Sequence, residues 1–268
     1  MTDYLFLFMA WLIFFIVLRE KIKFPHLIII GILIGLTAYI RPLALAFPLL
    51  FLLYFIKFDK KSVILKFGVI AIFMLLVILP WILRNYNLFD SIIVVSANTG
   101  TNFLIGNHVN ANGGYNFDTA SFPSAKTEVA EDKIAFQKGL DDIWNNPVKS
   151  ILRTPVKIFR AYYRFDSSFI WTFKKTNNQI PDIILSIFFY FSNALFFLIL
   201  FFNFFYVLKK GIKINSKFNY LMALFYGYTL LLMIVFFGSD RFIIPVIPIH
   251  IFLFTKYFFN GKENYELA

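Results

Sequence analysis

Long apolar segments dominate this chain and restrict the folds that it can adopt. We count about seven of them, judged against the roughly 20 residues that a helix needs to cross a bilayer. Inside a bilayer every backbone N–H and C=O must find a partner within the protein, and runs of this length satisfy that as helices. They occupy approximately residues 3–18, 26–40, 43–57, 65–83, 183–208, 219–237 and 242–259. The sequence therefore predicts an all-α polytopic membrane protein.

The composition agrees with this class and argues against several kinds of site. Of the 268 residues, 59% are hydrophobic and only 15% are charged, which is unlike an average soluble domain. Cysteine is absent, which excludes disulfides and thiolate metal sites. The histidines His26, His108 and His250 lack metal-ligand spacing, and we find no glycine-rich phosphate loop. We therefore expect no metal and no cofactor.

Lysine and arginine cluster in alternate connections between the apolar segments. They lie in residues 19–25, 57–66 and 209–218 and in the tail after the last segment. The positive-inside rule makes this side cytoplasmic, so residues 84–182 are expected on the non-cytoplasmic face. The net charge of +11 is then mainly a topology signal, and we expect contact with membrane lipids and no nucleic acid.

This topology divides the chain into three parts. Residues 1–83 form a four-span part, 84–182 an external loop with interfacial helices, and 183–268 a three-span part with a short cytoplasmic tail. The alternation puts the N-terminus outside with almost nothing before the first span. This unusual start favours the interpretation that the chain is the C-terminal part of a larger membrane protein. An upstream-encoded N-terminal half is then an expected partner.

Prolines mark two breaks in the first part. Pro42 biases Arg41 toward extended geometry. Residues 26–57 then form either a tight hairpin, which we favour, or one kinked element. Pro80-Trp81 is predicted to mark the outer border of the fourth span, with a polar loop beginning directly after it.

The region from 84 to 182 carries its own signals. Residues 86–126 are predicted as loop with short strands, and 126–145 as an amphipathic helix. Asn146-Pro147 and Thr154-Pro155 both have the pattern of a helix start. In the following helix Lys157, Arg160 and Arg164 share a face, as in helices that lie in the membrane interface. The alternative is a cationic face held to anionic lipid by charge alone.

Three arginines lie at the predicted outer borders of the spans. Arg41 follows the second span, Arg84 ends the fourth and Arg241 opens the seventh. A guanidinium binds phosphate through paired hydrogen bonds, so the three are candidates for binding one lipid-linked phosphate. For each arginine alone an interfacial anchor is the favoured interpretation, and this interpretation is weaker for the three together. Asp240 is a candidate ion-pair partner for its neighbour Arg241.

An amide- and glycine-rich stretch begins at the end of the fourth span. Asparagine offers a donor and an acceptor, and glycine allows tight turns. Such a stretch suits a hydroxyl-rich ligand, although an ordinary surface loop has the same composition. The candidates for a sugar or acceptor cleft are Asn85, Asn98, Asn102, Asn107 and Asn112.

Several stretches together resemble a known family. They are GLTAYIRPLALAFPLLFLLYFI (Gly35–Ile56), LPWILRNYNLF (Leu79–Phe89), LIGN (Leu104–Asn107), NGGY (Asn112–Tyr115) and SDRFIIPVIP (Ser239–Pro248). In this order they resemble the bacterial polytopic glycosyltransferases of the GT-C superfamily, similar to protein O-mannosyltransferases and lipid A aminoarabinose transferases. IWNNPVKSILRTPVKIFRAYYRF (143–165) is similar to the family's interfacial helix.

The resemblance implies a GT-C-like fold and a specific activity. A sugar would pass from a polyprenyl-phosphate donor to a cell-envelope acceptor, on the non-cytoplasmic face of a bacterial inner membrane. Arg84 and Arg241 would bind the lipid phosphate. The family's catalytic carboxylate lies in a first external loop that has no counterpart here, so the catalytic residue is unassigned. We expect the chain alone to lack turnover, with Asp3 only a remote substitute for that base.

Two other classes of function remain as alternatives. A lipid-linked-sugar flippase or transporter needs paired ionisable residues or broken helices at mid-membrane, and the predicted spans contain almost none. A non-catalytic membrane scaffold subunit gains support from the missing carboxylate loop.

Overall fold

The computed structural model describes residues 2–116, 122–163, 182–211 and 214–259, and within these ranges the chain is all-helical. Short 3-10 turns occupy Pro42–Ala46, Asp240–Phe242 and Ile244–Val246, and an isolated bridge joins Gly114 to Gly238. The helices are α1 (Thr2–Val17), α2 (Phe24–Ile40), α3 (Phe47–Phe58), α4 (Val63–Phe89), α5 (Thr99–Asn107), α6 (Glu128–Asn145), α7 (Pro147–Tyr163), α8 (Asp182–Lys210), α9 (Lys217–Val235) and α10 (Ile247–Phe259).

Each predicted apolar segment coincides with helical structure, and four of the helical stretches are long and apolar enough to cross a membrane. These four are Val63–Phe89, Ser186–Lys210, Lys217–Val235 and Asp240–Phe259. Thr2–Val17, Phe24–Ile40 and Pro42–Phe58 are shorter apolar helices. The membrane class is thus supported by four candidate spans, while the count of seven and the side of the membrane stay predictions.

The first helices form the hairpin that the sequence favoured. Arg41 is extended, with φ −147° and ψ 123°, as expected before proline. The hydroxyl of Tyr39 donates to the carbonyl of Val77 at 2.7 Å, and Gly31 packs against the backbone of Ile70. The contact nearer the start of α2 is with Ile70 and the contact nearer its end is with Val77, so α2 and α4 run parallel. Helix α3, which connects them in the sequence, therefore runs in the opposite direction.

Charged groups from distant segments meet at one end of the bundle, which we call the polar end. It contains Asp3 at the start of α1, Arg41 after α2 and Arg241 after α9, all joined by ion pairs. The opposite end carries Lys57, whose Nζ donates to the carbonyl of Ile214 at 3.0 Å. Between the two ends lies an aromatic core in which Phe14 of α1 packs on Phe225 of α9, with ring centroids 4.7 Å apart.

Helix α4 continues beyond its predicted border. It passes through Pro80 and ends at Phe89, so Arg84 and Asn85 lie on a helix and not in a loop. The following segment is tied back onto this extension, because Trp81 Nε1 donates to the carbonyl of Val95 at 2.9 Å. A proline removes one donor from a helix, and these tertiary contacts stabilise the helix despite it.

The region after α4 is also more helical than predicted. Helix α5 lies within the stretch expected to be loop with short strands, and the part of it that the structure describes contains no strand. α5 packs on α6, with the rings of Phe103 and Phe136 4.9 Å apart. The helix start at Pro147 is confirmed. The second start predicted at Thr154-Pro155 is wrong, because α7 continues through Pro155.

Candidate functional site

Two of the three candidate phosphate-binding arginines meet at the polar end. Arg41 Nη2 is ion-paired with Asp3 Oδ1, and Arg241 Nε donates to Asp3 Oδ2 at 3.4 Å. The side chains of Asp3 and Arg41 are largely buried, whereas that of Arg241 is 45% exposed. Burial, followed by the charge of Arg241, lowers the pKa of Arg41 to about 10. The pair is therefore reachable from the end of the bundle on the Arg241 side.

A narrow crevice leads from these arginines into the bundle. It holds about 10 Å³, which is room for about one water molecule. Its walls are otherwise apolar and aromatic, apart from the hydroxyl groups of Tyr228 and Thr229. The lining residues are Phe6, Arg41, Leu43, Phe225, Tyr228, Thr229, Leu232, Arg241, Phe242 and Pro245.

Arg84 is not brought into contact with this pair. Its guanidinium lies over the ring of Trp81, 4.8 Å from the centroid, and Nη1 donates to Asn85 Oδ1 at 3.3 Å. The side chain is exposed. A guanidinium stacked on tryptophan at the end of an apolar helix matches the anchor alternative, and a phosphate-binding role for Arg84 stays a prediction.

Two of the candidate amides stabilise the fold. Asn85 is buried and donates from Nδ2 to the carbonyl of Ile93 at 3.1 Å. Asn107 is buried and donates from Nδ2 to the carbonyls of Phe103 and Val235, each at 2.8 Å. Their hydrogen-bonding groups face the protein, because the chain folds back over both residues.

The other three candidate amides lie nearer the surface. Asn98 is exposed at the start of α5, where its Oδ1 accepts from the hydroxyl of Ser96 at 2.9 Å. Asn102 is half-buried on the same helix. Asn112 is exposed, and its Oδ1 accepts from the N–H of Gly114 at 3.0 Å. These three remain candidates for ligand contact.

A buried lysine is a feature that the sequence argument missed. Lys157 of α7 was expected on a face toward lipid headgroups, but it is 2% exposed. Its Nζ donates to Asn107 Oδ1 and to the carbonyl of Ile234, both at 2.8 Å. Burial, followed by the charge of Arg153, lowers its pKa to about 7. The lysine therefore links α5, α7 and α9.

The cationic face of α7 is thus turned inward in part. Arg153 is buried with Lys157, while Arg160 is exposed and Arg164 lies outside the described residues. The exposed side of the helix is instead apolar, with Ile151 and Phe159 among its members. An amphipathic helix at an interface places its apolar side in lipid, so the orientation expected for the charges was wrong for Lys157, while Arg160 keeps an exposed position.

Glycines let two motifs of the resemblance meet beside α7. The N–H of Gly238 donates to the carbonyl of Gly113 at 2.8 Å, which joins the NGGY stretch to the residue before SDRF. Gly113 has φ +87°, a conformation that favours glycine. On Gly238 an added Cβ would lie 1.8 Å from the carbonyl oxygen of Lys157. Only glycine allows this approach.

A larger apolar groove of about 550 Å³ opens between α7 and α8. Its lining is mainly aromatic, and its polar groups are the amide of Asn193 and the hydroxyls of its tyrosines. The lining residues are Phe159, Tyr162, Tyr163, Phe189, Tyr190, Asn193, Phe197 and Leu200. In the described ranges no group of three or more histidine, aspartate or glutamate side chains is arranged to hold a metal ion.

Comparisons with known proteins identify no relative of this chain. No family model matches the chain, and it has no match among curated proteins or among solved structures. A proposal of function therefore depends on the sequence motifs and on the polar end.

Proposed function

We propose that this chain is a membrane glycosyltransferase, or its C-terminal part. It would transfer a sugar from a polyprenyl-phosphate donor to a cell-envelope acceptor on the non-cytoplasmic face. The observation that carries the proposal is the meeting of Arg41 and Arg241 at one end of an apolar helical bundle. These residues come from two separate stretches of the resemblance, and they are 200 positions apart in the sequence. Four candidate spans would hold them at the border of a bilayer.

The chemistry of the two arginines suits a departing lipid phosphate. When a sugar leaves its carrier, negative charge grows on the phosphate oxygens. Guanidinium groups fixed beside those oxygens stabilise that charge in the transition state. The acceptor hydroxyl also needs a base, which we assign to a carboxylate supplied from outside this chain. Asn98, Asn102 and Asn112 are the amides best placed to contact sugar or acceptor, because their side chains are not enclosed.

Donor binding by charge-deletion variants tests the proposal. We expect the purified protein in nanodiscs to bind a polyprenyl-phosphate sugar, and Arg41→Gln and Arg241→Gln to weaken binding about tenfold or more. A charge-assisted hydrogen bond contributes about 1.5–3 kcal/mol, and about 1.4 kcal/mol is a factor of ten. The matched control is Lys66→Gln, a cation paired with Asp59 at the opposite end, which should bind like the parent.

The same measurement separates the proposal from the scaffold alternative and tests the role of Arg84. If the parent protein binds no donor, the scaffold alternative is favoured. Arg84→Lys decides the role of the third arginine, because an ammonium cannot reproduce paired guanidinium hydrogen bonds. A tenfold loss would add Arg84 to the phosphate site, and parental affinity would leave it an anchor.

The proposed sidedness predicts the labelling of introduced cysteines. The chain has no natural cysteine, so Asn112→Cys and Lys60→Cys give single reporters, and both positions are exposed. In intact cells an impermeant thiol reagent should label position 112 and leave position 60 unlabelled. The reverse pattern would place the polar end in the cytoplasm and exclude an envelope acceptor.

A further inference from the structure

One carboxylate lies between the two arginines of the polar end. We propose that Asp3 is a resident counter-anion of the phosphate site, so that a phosphate reaches Arg41 and Arg241 only by displacing it. This inference rests on the proposed function and adds a competitor built into the same site. Donor affinity is then set by the exchange of one anion for another.

Asp3 presents to the two arginines the same kind of charged oxygen atoms that a phosphate would. The two carboxylate oxygens of Asp3 are divided between the two arginines, Oδ1 toward Arg41 and Oδ2 toward Arg241. Carboxylate and phosphate oxygens use the same guanidinium hydrogen bonds. The two oxygens of Asp3 therefore occupy the acceptor positions beside the guanidinium groups that two oxygens of a phosphate would take.

The site offers little space beside Asp3. The crevice at these arginines holds about 10 Å³, which is room for about one water molecule. A phosphate group does not fit beside Asp3 in that volume. A phosphate can approach from the end of the bundle, on the exposed side of Arg241. The space for it beside the arginines becomes available when the side chain of Asp3 rotates away.

The two neighbouring guanidinium groups need an anion beside them. Arg41 is largely buried, and the charge of Arg241 adds to burial in lowering its pKa. Two neighbouring guanidinium groups without an anion would be costly in such a place. Asp3 stabilises the pair when no ligand is present, and an incoming phosphate replaces that stabilisation.

Removal of the carboxylate charge tests the displacement. We expect the Asp3→Asn variant to bind polyprenyl phosphate about tenfold more tightly than the parent, since the competitor's charge-assisted hydrogen bonds are lost. Inorganic phosphate should likewise raise the unfolding temperature of the variant more than that of the parent. The matched control is Asp59→Asn, which removes the carboxylate paired with Lys66 at the opposite end. It should leave both responses unchanged.

The outcomes separate this inference from the proposed function. Donor binding by the parent with equal or weaker binding by Asp3→Asn would overturn the displacement and leave the proposed function standing. If neither protein binds either phosphate, both fail. If Asp3→Asn is stabilised by inorganic phosphate but does not bind polyprenyl phosphate, the site binds anions and the lipid-linked donor is excluded. If Asp3→Asn folds only in phosphate buffer, that rescue supports the exchange, and failure to fold in both phosphate and chloride overturns it.

Discussion

Substitution of Gly106 or Gly238 by alanine is expected to prevent stable folding of the polar end. A Cβ on Gly106 would lie 1.6 Å from the carbonyl oxygen of Phe236, and one on Gly238 would lie 1.8 Å from that of Lys157. Both obstacles are backbone atoms, so no side-chain rotation relieves the clash. Overpacking of this kind costs about 1–3 kcal/mol where side chains yield, and we expect at least the upper end here.

The measurement is the unfolding temperature of each variant in one detergent. Gly227→Ala is the matched control, because Gly227 lies on α9 and nothing approaches its Cβ position within 4 Å. Alanine is favoured over glycine within a helix by about 1 kcal/mol, so the control should be unchanged or more stable. An unfolding temperature of Gly238→Ala equal to that of Gly227→Ala would contradict the packing of α7 on Gly238.

The sequence predicted where helices lie because burial in lipid is a local requirement. Apolar length alone located the apolar helices, and the start of α7 at Pro147 followed from a one-residue rule. Local rules failed where tertiary contacts outweigh them. Pro80 and Pro155 both read as boundaries, yet the structure keeps each inside a helix. Packing of one face of a helix on its neighbours can stabilise it against one missing hydrogen bond.

The polar end was only partly predictable for the same reason. Arg41 and Arg241 were recognised, together with Arg84, as three candidates from their positions at span borders, but nothing in the sequence indicated that Arg41 and Arg241 would meet without Arg84. The contact of Asp3 with Arg241 joins residues 238 positions apart, and no local pattern indicates it. Asn107 was a candidate ligand-binding residue because it lies in an amide- and glycine-rich stretch of the sequence. Its partners Val235 and Lys157 come from other segments, so its burial follows only from the fold.

Lys157 is expected to make the stability of the protein rise with pH. Its pKa in the folded protein is about 7 and its ordinary value is 10.5. Between these values the unfolded chain binds more protons than the folded one, so the free energy of unfolding increases with pH across this window. Below about pH 7 Lys157 is protonated in both the folded and the unfolded state, so the folded protein bears the full cost of burying its charge. Each pKa unit corresponds to about 1.4 kcal/mol, so the full effect amounts to several kcal/mol.

The comparison of parent and Lys157→Met over pH 6.5 to 9.5 isolates this contribution. Methionine keeps most of the buried volume and cannot titrate, so the variant should lose the rise that the parent shows. It should also be less stable than the parent at high pH, because Asn107 Oδ1 and the carbonyl of Ile234 lose their donor. Lys149→Met is the matched control, because Lys149 lies on the same helix with an exposed side chain, and this variant should keep the parental slope. If Lys157→Met runs parallel to the parent, the ammonium group of Lys157 is hydrated, and α7 does not enclose it against α5 and α9.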